Sequence, residues 1–257
     1  MTTWVKDSRP YLEGWINRTN ADRSQLTRIF NGMDEGESRT PSTEAGPQRP
    51  EILCPGLEAS PWWDKNRFPW IAGLEKAYPD VRGEFLKAWG AAGPNANGIM
   101  RHPNSHNLAR SGRWSAYYFH LLGQVNQRNM DSCPRTSAVL SGIPGADSAG
   151  MSYFSVMDPG THVAPHCGFI NVRVRCHLGL VVPEDCAMRV HEETRDWAEG
   201  VAFTFDDSFD HEVWNKSEGI RAVLLFDVWH PDLNDTEKAA MTYMMQVWKE
   251  FLYRDVK

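Results

Sequence analysis

Short runs of strand-type residues between Trp114 and Trp229, turn signals such as Asp158-Pro159-Gly160 between them, and helical periodicity confined to the flanks predict a mainly β fold with flanking helices. Many short strands joined by tight turns suit two packed antiparallel sheets, so the expected core is a double-stranded β-helix of the jelly-roll, cupin-like type. With 257 residues, of which 41% are apolar, the chain can fill one such core. Residues 1–50 read as a peripheral N-terminal segment and linker, and 51–257 as a single domain ending in a helix.

The elements follow in order. Ser24 to Phe30 has the pattern of a short helix, whereas Asp34 to Pro50 is rich in Glu, Ser, Thr, Gly and Pro and reads as an exposed linker. Trp70, Ile71, Leu74, Ala77 and Tyr78 recur at helical spacing. Pro79 breaks that run, and Val81, Phe85, Leu86 and Trp89 resume it, which predicts two helices packed on a sheet. Trp114 to Leu122 and Met151 to Met157 are strand runs. In Asn171 to Val182 the alternation is clearest: Arg173, Arg175 and His177 fall on one face, and Val172, Val174 and Cys176 on the other. Met188 to His191, Gly200 to Phe205 and Ile220 to Trp229 continue the series. Thr236 to Tyr253 is an amphipathic helix with Met241, Met244, Met245, Trp248 and Leu252 on one face.

Composition removes several classes of function. The net charge of −6 is spread along the chain without a basic run, which argues against a nucleic-acid or membrane-surface partner. No stretch reaches the roughly 18 to 20 apolar residues of a membrane span, and the opening residues lack the order of a signal peptide, so a cytoplasmic protein is expected. Five cysteines at scattered spacings, Cys54, Cys133, Cys167, Cys176 and Cys186, form no Cys-x-x-Cys pair, and reduced thiols are expected.

The candidate chemistry lies in three places. His166 and His211 stand on predicted strands with Gly168 two residues after the first, where a two-histidine-one-carboxylate iron site would carry its acid. Arg173 and Arg175, if their face is inward, demand an anion such as a carboxylate ligand; alternatively they lie on a solvated outer face or pair with Asp206, Asp207 or Glu212. Arg221 sits in an otherwise apolar strand; its planar guanidinium suits a bidentate hold on a carboxylate, unless Asp227 or Glu218 neutralises it. His162 and His166 have zinc-protease spacing, but Pro159, Gly160 and Pro165 exclude a helix there. His102, His106, His120, His191 and His230 read as structural.

The segments Pro165-His166-Cys167-Gly168, Asn171-x-Arg173-x-Arg175-x-His177-Leu178-Gly179-Leu180, Phe205-Asp206-Asp207-Ser208-Phe209-x-His211-Glu212-Val213-Trp214 and Phe226-Asp227-Val228-Trp229-His230-Pro231 together resemble the aspartyl/asparaginyl β-hydroxylase family. The likeness runs from Pro55-Gly56-Leu57, through Pro61-Trp62-Trp63-Asp64 and Gly112-x-Trp114-Ser115, to Leu233. It implies a dioxygenase that uses Fe(II), 2-oxoglutarate as cosubstrate and O2. His166 and His211 would hold the metal, with Gly168 leaving the third position to water. Arg221 and Ser155 would anchor the far carboxylate of 2-oxoglutarate, with His177 nearer its chelating end. Arg173 and Arg175 would grip the substrate carboxylate, and Trp114 would shape the pocket. The implied reaction is hydroxylation of an unactivated carbon in a carboxylate-bearing amino-acid, peptidyl or small-molecule substrate. Two alternatives remain at this level: a halogenase that uses the Gly168 vacancy for chloride, and a non-catalytic cupin-like binding protein. Secretory members hold a disulfide in the loop corresponding to Asn126 to Leu140. Here that loop has only Cys133, which puts modification of secreted domains in doubt.

Overall fold

A computed structural model describes residues 3–35, 42–43 and 46–252. The helices are α1 (Thr3–Thr19), α2 (Thr27–Glu35), α3 (Ile71–Lys76), α4 (Tyr78–Trp89), α5 (Ser105–Leu108), α6 (Gln127–Ser132), α7 (Pro134–Ser141) and α8 (Asp235–Leu252). The strands before the barrel are β1 (Ser42–Thr43), β2 (Gly46–Pro47), β3 (Trp62–Trp63), β4 (Met100–Arg101) and β5 (Ala109–Ser111). Those that build it are β6 (Trp114–Leu121), β7 (Gln124–Val125), β8 (Met151–Met157), β9 (His162–His166), β10 (Arg173–Val181), β11 (Cys186–Val190), β12 (Glu193–Asp196), β13 (Ala202–Phe205), β14 (His211–Asn215) and β15 (Arg221–Trp229).

Two antiparallel sheets face each other, as the sequence predicts. The larger runs β3-β13-β10-β15-β8-β6-β4, with β7 beside β6; the smaller runs β12-β11-β14-β9-β5. Side chains on each strand divide by parity. On β15, Ala222, Leu224, Phe226 and Val228 join Val174, Cys176, Leu178, Phe154 and Val156 in an outer cluster covered by Ile71 and Leu74 of α3 and Val81 and Phe85 of α4. That cluster forms because period-2 alternation gives the large sheet an apolar back for the helices to cover. Each buried aromatic such as Phe85 or Phe154 stabilises it by ~1.5–3 kcal/mol. The opposite parity, Arg173, Arg175, His177, Arg221 and Asp227, points between the sheets and is buried. The polar row read from β10 is therefore internal.

The helices over the large sheet agree with the expected pair, and Pro79 stands in the first turn of α4, where its missing N–H costs nothing. Strand β8 covers the expected Met151–Met157. The N-terminus departs from expectation. Residues 1–50 read as peripheral, yet Val5, Leu12 and Ile16 of α1 and Ile29, Phe30 and Met33 of α2 are buried in the same cluster as Met241, Met244, Met245 and Trp248 of α8. The stripe on α1 is narrow and lies among charged positions, so it is weak in the sequence. Parts of the expected linker, residues 36–41 and 44–45, lie outside the described residues, as does Tyr253 of the expected last helix.

The end of that linker is fastened beside the site. Gln48 Nε2–H donates to Asp206 Oδ2 at 2.7 Å, and the Ser208 hydroxyl and N–H donate to Asp206 Oδ1 at 2.6 and 2.9 Å. Burial pushes this carboxyl up to about 7 in spite of the bonds from Ser208. A raised acid binds its proton more tightly folded than unfolded, so its penalty is absent below the ordinary carboxylate range and grows as pH rises to about 7. Asp206→Asn is expected to remove a loss of stability of order 4 kcal/mol across that window. Thermal melts from pH 4 to 8 check this: the variant should have the flatter profile. The Gln48 amide can rotate to present its oxygen to the new side-chain N–H, keeping the buried bond.

Candidate active site

Strands β9 and β14 are antiparallel neighbours in the small sheet, with His211 directly paired to His166. Their ring centroids are 4.1 Å apart. His166 Nδ1 lies 2.8 Å from Ala164 O and His211 Nδ1 lies 2.9 Å from Phe209 O. A carbonyl oxygen only accepts, so both Nδ1 atoms carry the proton and both Nε2 atoms keep a lone pair. Burial lowers the pKa of His166 and takes that of His211 well down, helped there by the neighbouring His166. Two neutral imidazoles with fixed tautomers and adjacent lone pairs are what a divalent transition metal requires of its ligands. Among the described residues, no third His, Cys, Asp or Glu completes a metal-holding group. Cys167 lines the outer cavity with His166 because β9 ends at His166 and strand alternation stops there.

Gly168 has a specific neighbour. A Cβ at this position would lie 2.5 Å from the carboxylate oxygens of Asp207, and the Gly168 N–H donates to Asp207 O at 2.5 Å. Asp207 thus fills the space that a ligand side chain at 168 would need. Gly168→Asp alone is expected to overpack this contact at a cost of roughly 1–3 kcal/mol. The swap Gly168→Asp with Asp207→Ala keeps the charge count and should recover that loss in a thermal melt.

The arginine row meets acids in the fold. Arg175 Nε and Nη2 donate to Asp227 Oδ1 and Oδ2 at 2.8 and 3.1 Å, across a register in which the two residues are paired. Arg173 Nη2 donates to Asp207 Oδ2 at 3.0 Å, and Arg175 Nη1 lies 3.1 Å from the same oxygen. Burial alone would raise the Asp207 carboxyl; Arg173 and Arg175 outweigh it and hold the group below the ordinary carboxylate range. Two cations and two anions therefore close into a neutral cluster, which offsets most of the cost of burying them. The expected role of Arg173 and Arg175 in gripping a substrate carboxylate competes with these internal pairs. Arg173 is 2% exposed and Arg175 8%. Even so, Arg173 Nε and Nη1 and Asp207 Oδ1 lack a hydrogen-bond partner among the described residues.

Arg221 has no acid among the described residues. The alternative pairing with Asp227 or Glu218 does not occur, because Asp227 belongs to Arg175. The Arg221 guanidinium touches Ser155 O at 3.4 Å and Met157 Sδ and lies 4.8 Å from the centre of the Trp197 ring, while its Nε has no partner among the described residues. Burial lowers its pKa to about 10. Beside it, His177 Nδ1 accepts from Trp197 Nε1–H at 3.3 Å, which assigns the proton to Nε2, and that atom too is unpartnered among the described residues. Burial, followed by the Arg221 charge, takes the His177 pKa well down, so the ring is neutral. Trp114 Nε1–H donates to Ser155 Oγ at 3.0 Å, leaving the hydroxyl proton available to another acceptor. Arg221, His177, Ser155 and Trp114 line one small inner chamber with His166, His211 and Arg175. Trp114, Tyr153, His166, Arg175 and His211 also line an outer cavity of about 230 Å³, which Asp207, Gly168, Arg173 and His102 complete. Every residue expected at the site therefore borders one or both of these adjoining spaces.

The aspartyl/asparaginyl beta-hydroxylase family model matches residues 75–231. The chain belongs to that family. It is 36% identical to the human aspartyl/asparaginyl beta-hydroxylase over 192 residues, covering 72% of this chain and 25% of the relative. An ornithine lipid ester-linked acyl 2-hydroxylase from Rhizobium tropici is 35% identical over 66% of this chain and 61% of its own. The mouse aspartate beta-hydroxylase domain-containing protein 2 is 31% identical over 86% of this chain and 66% of its own. The chain thus spans a quarter of the length of the human β-hydroxylase. No helix among the described residues of this family member is long and apolar enough to cross a membrane.

Two residues of this β-hydroxylase relative escape sequence reasoning, and a third, Asp207, is expected from the sequence as a partner of Arg173 and Arg175 but not beside Gly168. Asp207 is visible in its acidic run, but its place against Gly168 depends on a backbone contact between distant segments. His102, read as structural, stacks on Trp114 with centroids 3.5 Å apart and planes at 8°. Its Nδ1 accepts from the Asn104 N–H at 3.2 Å, and it borders the outer cavity. Trp197 follows β12 in a segment without periodicity, and nothing in the sequence marks it.

Proposed function

We propose that this protein is an Fe(II)- and 2-oxoglutarate-dependent dioxygenase that hydroxylates an unactivated carbon of a carboxylate-bearing amino-acid, peptidyl or small-molecule substrate. The observation that carries the reading is the buried, acid-free guanidinium of Arg221 in one chamber with two histidines whose Nε2 lone pairs are free of protons. An uncompensated buried cation is costly unless an anion neutralises it, and a dicarboxylate that also reaches the histidines does so.

His166 and His211 would hold the iron. When bound, iron and cosubstrate supply oxygen activation: one O atom of O2 goes into succinate as 2-oxoglutarate loses CO2, the other into the new C–OH. The chain's own residues bind and orient. Arg221 takes the far carboxylate through charge-assisted bonds, the Ser155 hydroxyl donates to it, and His177 Nε2–H donates to the cosubstrate nearer the metal. Asp207 Oδ1, an acceptor without a partner among the described residues, would orient a water in the space beside Gly168. Arg175 borders both spaces and is the better placed of the two arginines to meet a substrate carboxylate; Arg173 backs it through the shared acids. Trp114 and Tyr153 border both cavities.

The relatives named above act, by name, on aspartyl or asparaginyl residues and on a lipid acyl chain, so the trial substrates are free amino acids, peptides and acyl lipids with carboxylate groups. Purified protein with Fe(II), 2-oxoglutarate and ¹⁸O2 should release singly labelled succinate, faster with a true substrate, and add one oxygen to that substrate. Failure to bind 2-oxoglutarate, with no labelled succinate, overturns the proposal.

A further inference from the structure

Trp197 is 6% exposed and touches both residues that hold an unpartnered donor in the inner chamber. Its Nε1–H donates to His177 Nδ1, its plane lies 19° from that imidazole, and the Arg221 guanidinium rests 4.8 Å from its ring centre. Yet Trp197 does not line the chamber; it forms a wall of the separate surface hollow behind it, with Cys186 and Trp214. Indole nitrogen only donates, so the bond to Nδ1 leaves a single neutral tautomer for His177, with the proton on Nε2 facing the chamber. The ring face supplies an apolar but electron-rich bed for a guanidinium that has no acid beside it.

The segment that carries Trp197 is docked on β10 by a missing side chain. A Cβ at Gly179 would collide with the carbonyl oxygen of Ala198. The Gly179 N–H donates to Val201 O at 3.2 Å, and the Gly200 N–H to Gly179 O at 3.0 Å. Strand register shifts between Gly179 and Val181 at the same place. Gly179 therefore lets the 197–200 segment lie flat on the strand two residues beyond His177.

We propose that Trp197 is a positioning residue for the anion of the inner chamber: it fixes His177 as an Nε2–H donor and beds the Arg221 guanidinium, so that 2-oxoglutarate affinity depends on an indole the cosubstrate does not touch. This rests on the reading of the chamber as the 2-oxoglutarate site. Trp197→Phe keeps a ring face and deletes the donor. Trp197→Leu deletes both. Gly179→Ala leaves the indole intact and displaces its segment.

Two measurements test this. The first is ¹⁵N NMR of histidine-labelled protein without ligand, with His177 assigned by loss of its signals in His177→Gln. The wild type should give one Nε2–H tautomer, and Trp197→Phe an averaged pair of nitrogens. The second is calorimetric binding of 2-oxoglutarate with Mn(II) in place of iron. Affinity should fall about tenfold for Trp197→Phe and more for Trp197→Leu, with Gly179→Ala following the same direction. At saturating 2-oxoglutarate, turnover of Trp197→Phe should stay near wild type while its KM rises. An unchanged His177 tautomer and unchanged affinity in Trp197→Phe overturn the proposal. A wild type that shows the Nε2–H tautomer but binds no 2-oxoglutarate overturns instead the reading of the chamber.

Discussion

Arg221→Met is expected to weaken 2-oxoglutarate binding severely while making the ligand-free protein more stable. The two effects have one origin. With a carboxylate bound, the guanidinium makes a buried charge-assisted contact, and deleting one partner of such a pair costs about 2–5 kcal/mol. That range corresponds to a Kd raised by roughly 30-fold to several thousand-fold. Without ligand the same guanidinium is a buried cation with no acid, and its pKa lowered to about 10 records the penalty. A depressed base destabilises the fold over the whole neutral range and is relieved only as pH rises through about 10, so the charge costs roughly 3 kcal/mol at pH 7. Methionine fills a similar volume without the charge. The melting temperature of the ligand-free variant should therefore rise by several degrees, while addition of 2-oxoglutarate, which should stabilise the wild type, leaves the variant's melt unmoved. A variant that binds 2-oxoglutarate like the wild type would remove Arg221 from the site.

His166→Ala and His211→Ala are expected to abolish turnover, because only two protein side chains among the described residues are available to hold the metal and one imidazole alone cannot. Loss of a group that merely hydrogen-bonds a ligand already costs 10–100-fold in metal affinity, so loss of one of two ligands should exceed about 100-fold. Mn(II) binding followed by electron paramagnetic resonance measures this without any reaction. Succinate release should fall below detection in both variants. Each substitution leaves a cavity shaped for an imidazole, so added imidazole should restore part of the metal binding, which a misfolded variant would not allow. Full activity of either variant would contradict the ligand assignment.

Much of this site is legible in the order of residues because β structure writes its faces with period 2. Arg173, Arg175 and His177 alternate with Val174 and Cys176, and their shared face follows from that alone, whereas its inward direction is given by the packing of the two sheets. Asp207 is among the partners the sequence offers that row, but Asp227 is expected beside Arg221 instead. Asp227 neutralises Arg175 because β10 and β15 pair in one register, and a slip of one residue would have aimed Asp227 at the outer helices. The same register frees Arg221 of an acid, so the sequence leaves open which arginine is paired and which waits for a ligand. The two histidines are recognisable through their motifs, but their contact depends on the pairing of β9 with β14. Helix α1 is missed for a different reason: Val5, Leu12 and Ile16 make a seam too thin to separate from a charged surface segment until α8 is seen against it.

His166 and His211, the proposed metal ligands, belong to the small sheet, and Arg221, Ser155 and His177, the proposed cosubstrate anchors, to the large one. The span between the histidine pair and Arg221 is therefore not built into any single strand; it is gauged by the bulk of Val163, Met188, Val213, Phe205 and Leu225, the apolar residues that border the inner chamber from both sides. These side chains act as spacers in a calliper, and under the proposed function their volume would select the length of dicarboxylate that can touch both jaws. On that reading, chain-length preference among 2-oxoacids would be set by the hydrophobic core rather than by the charged residues at the two ends.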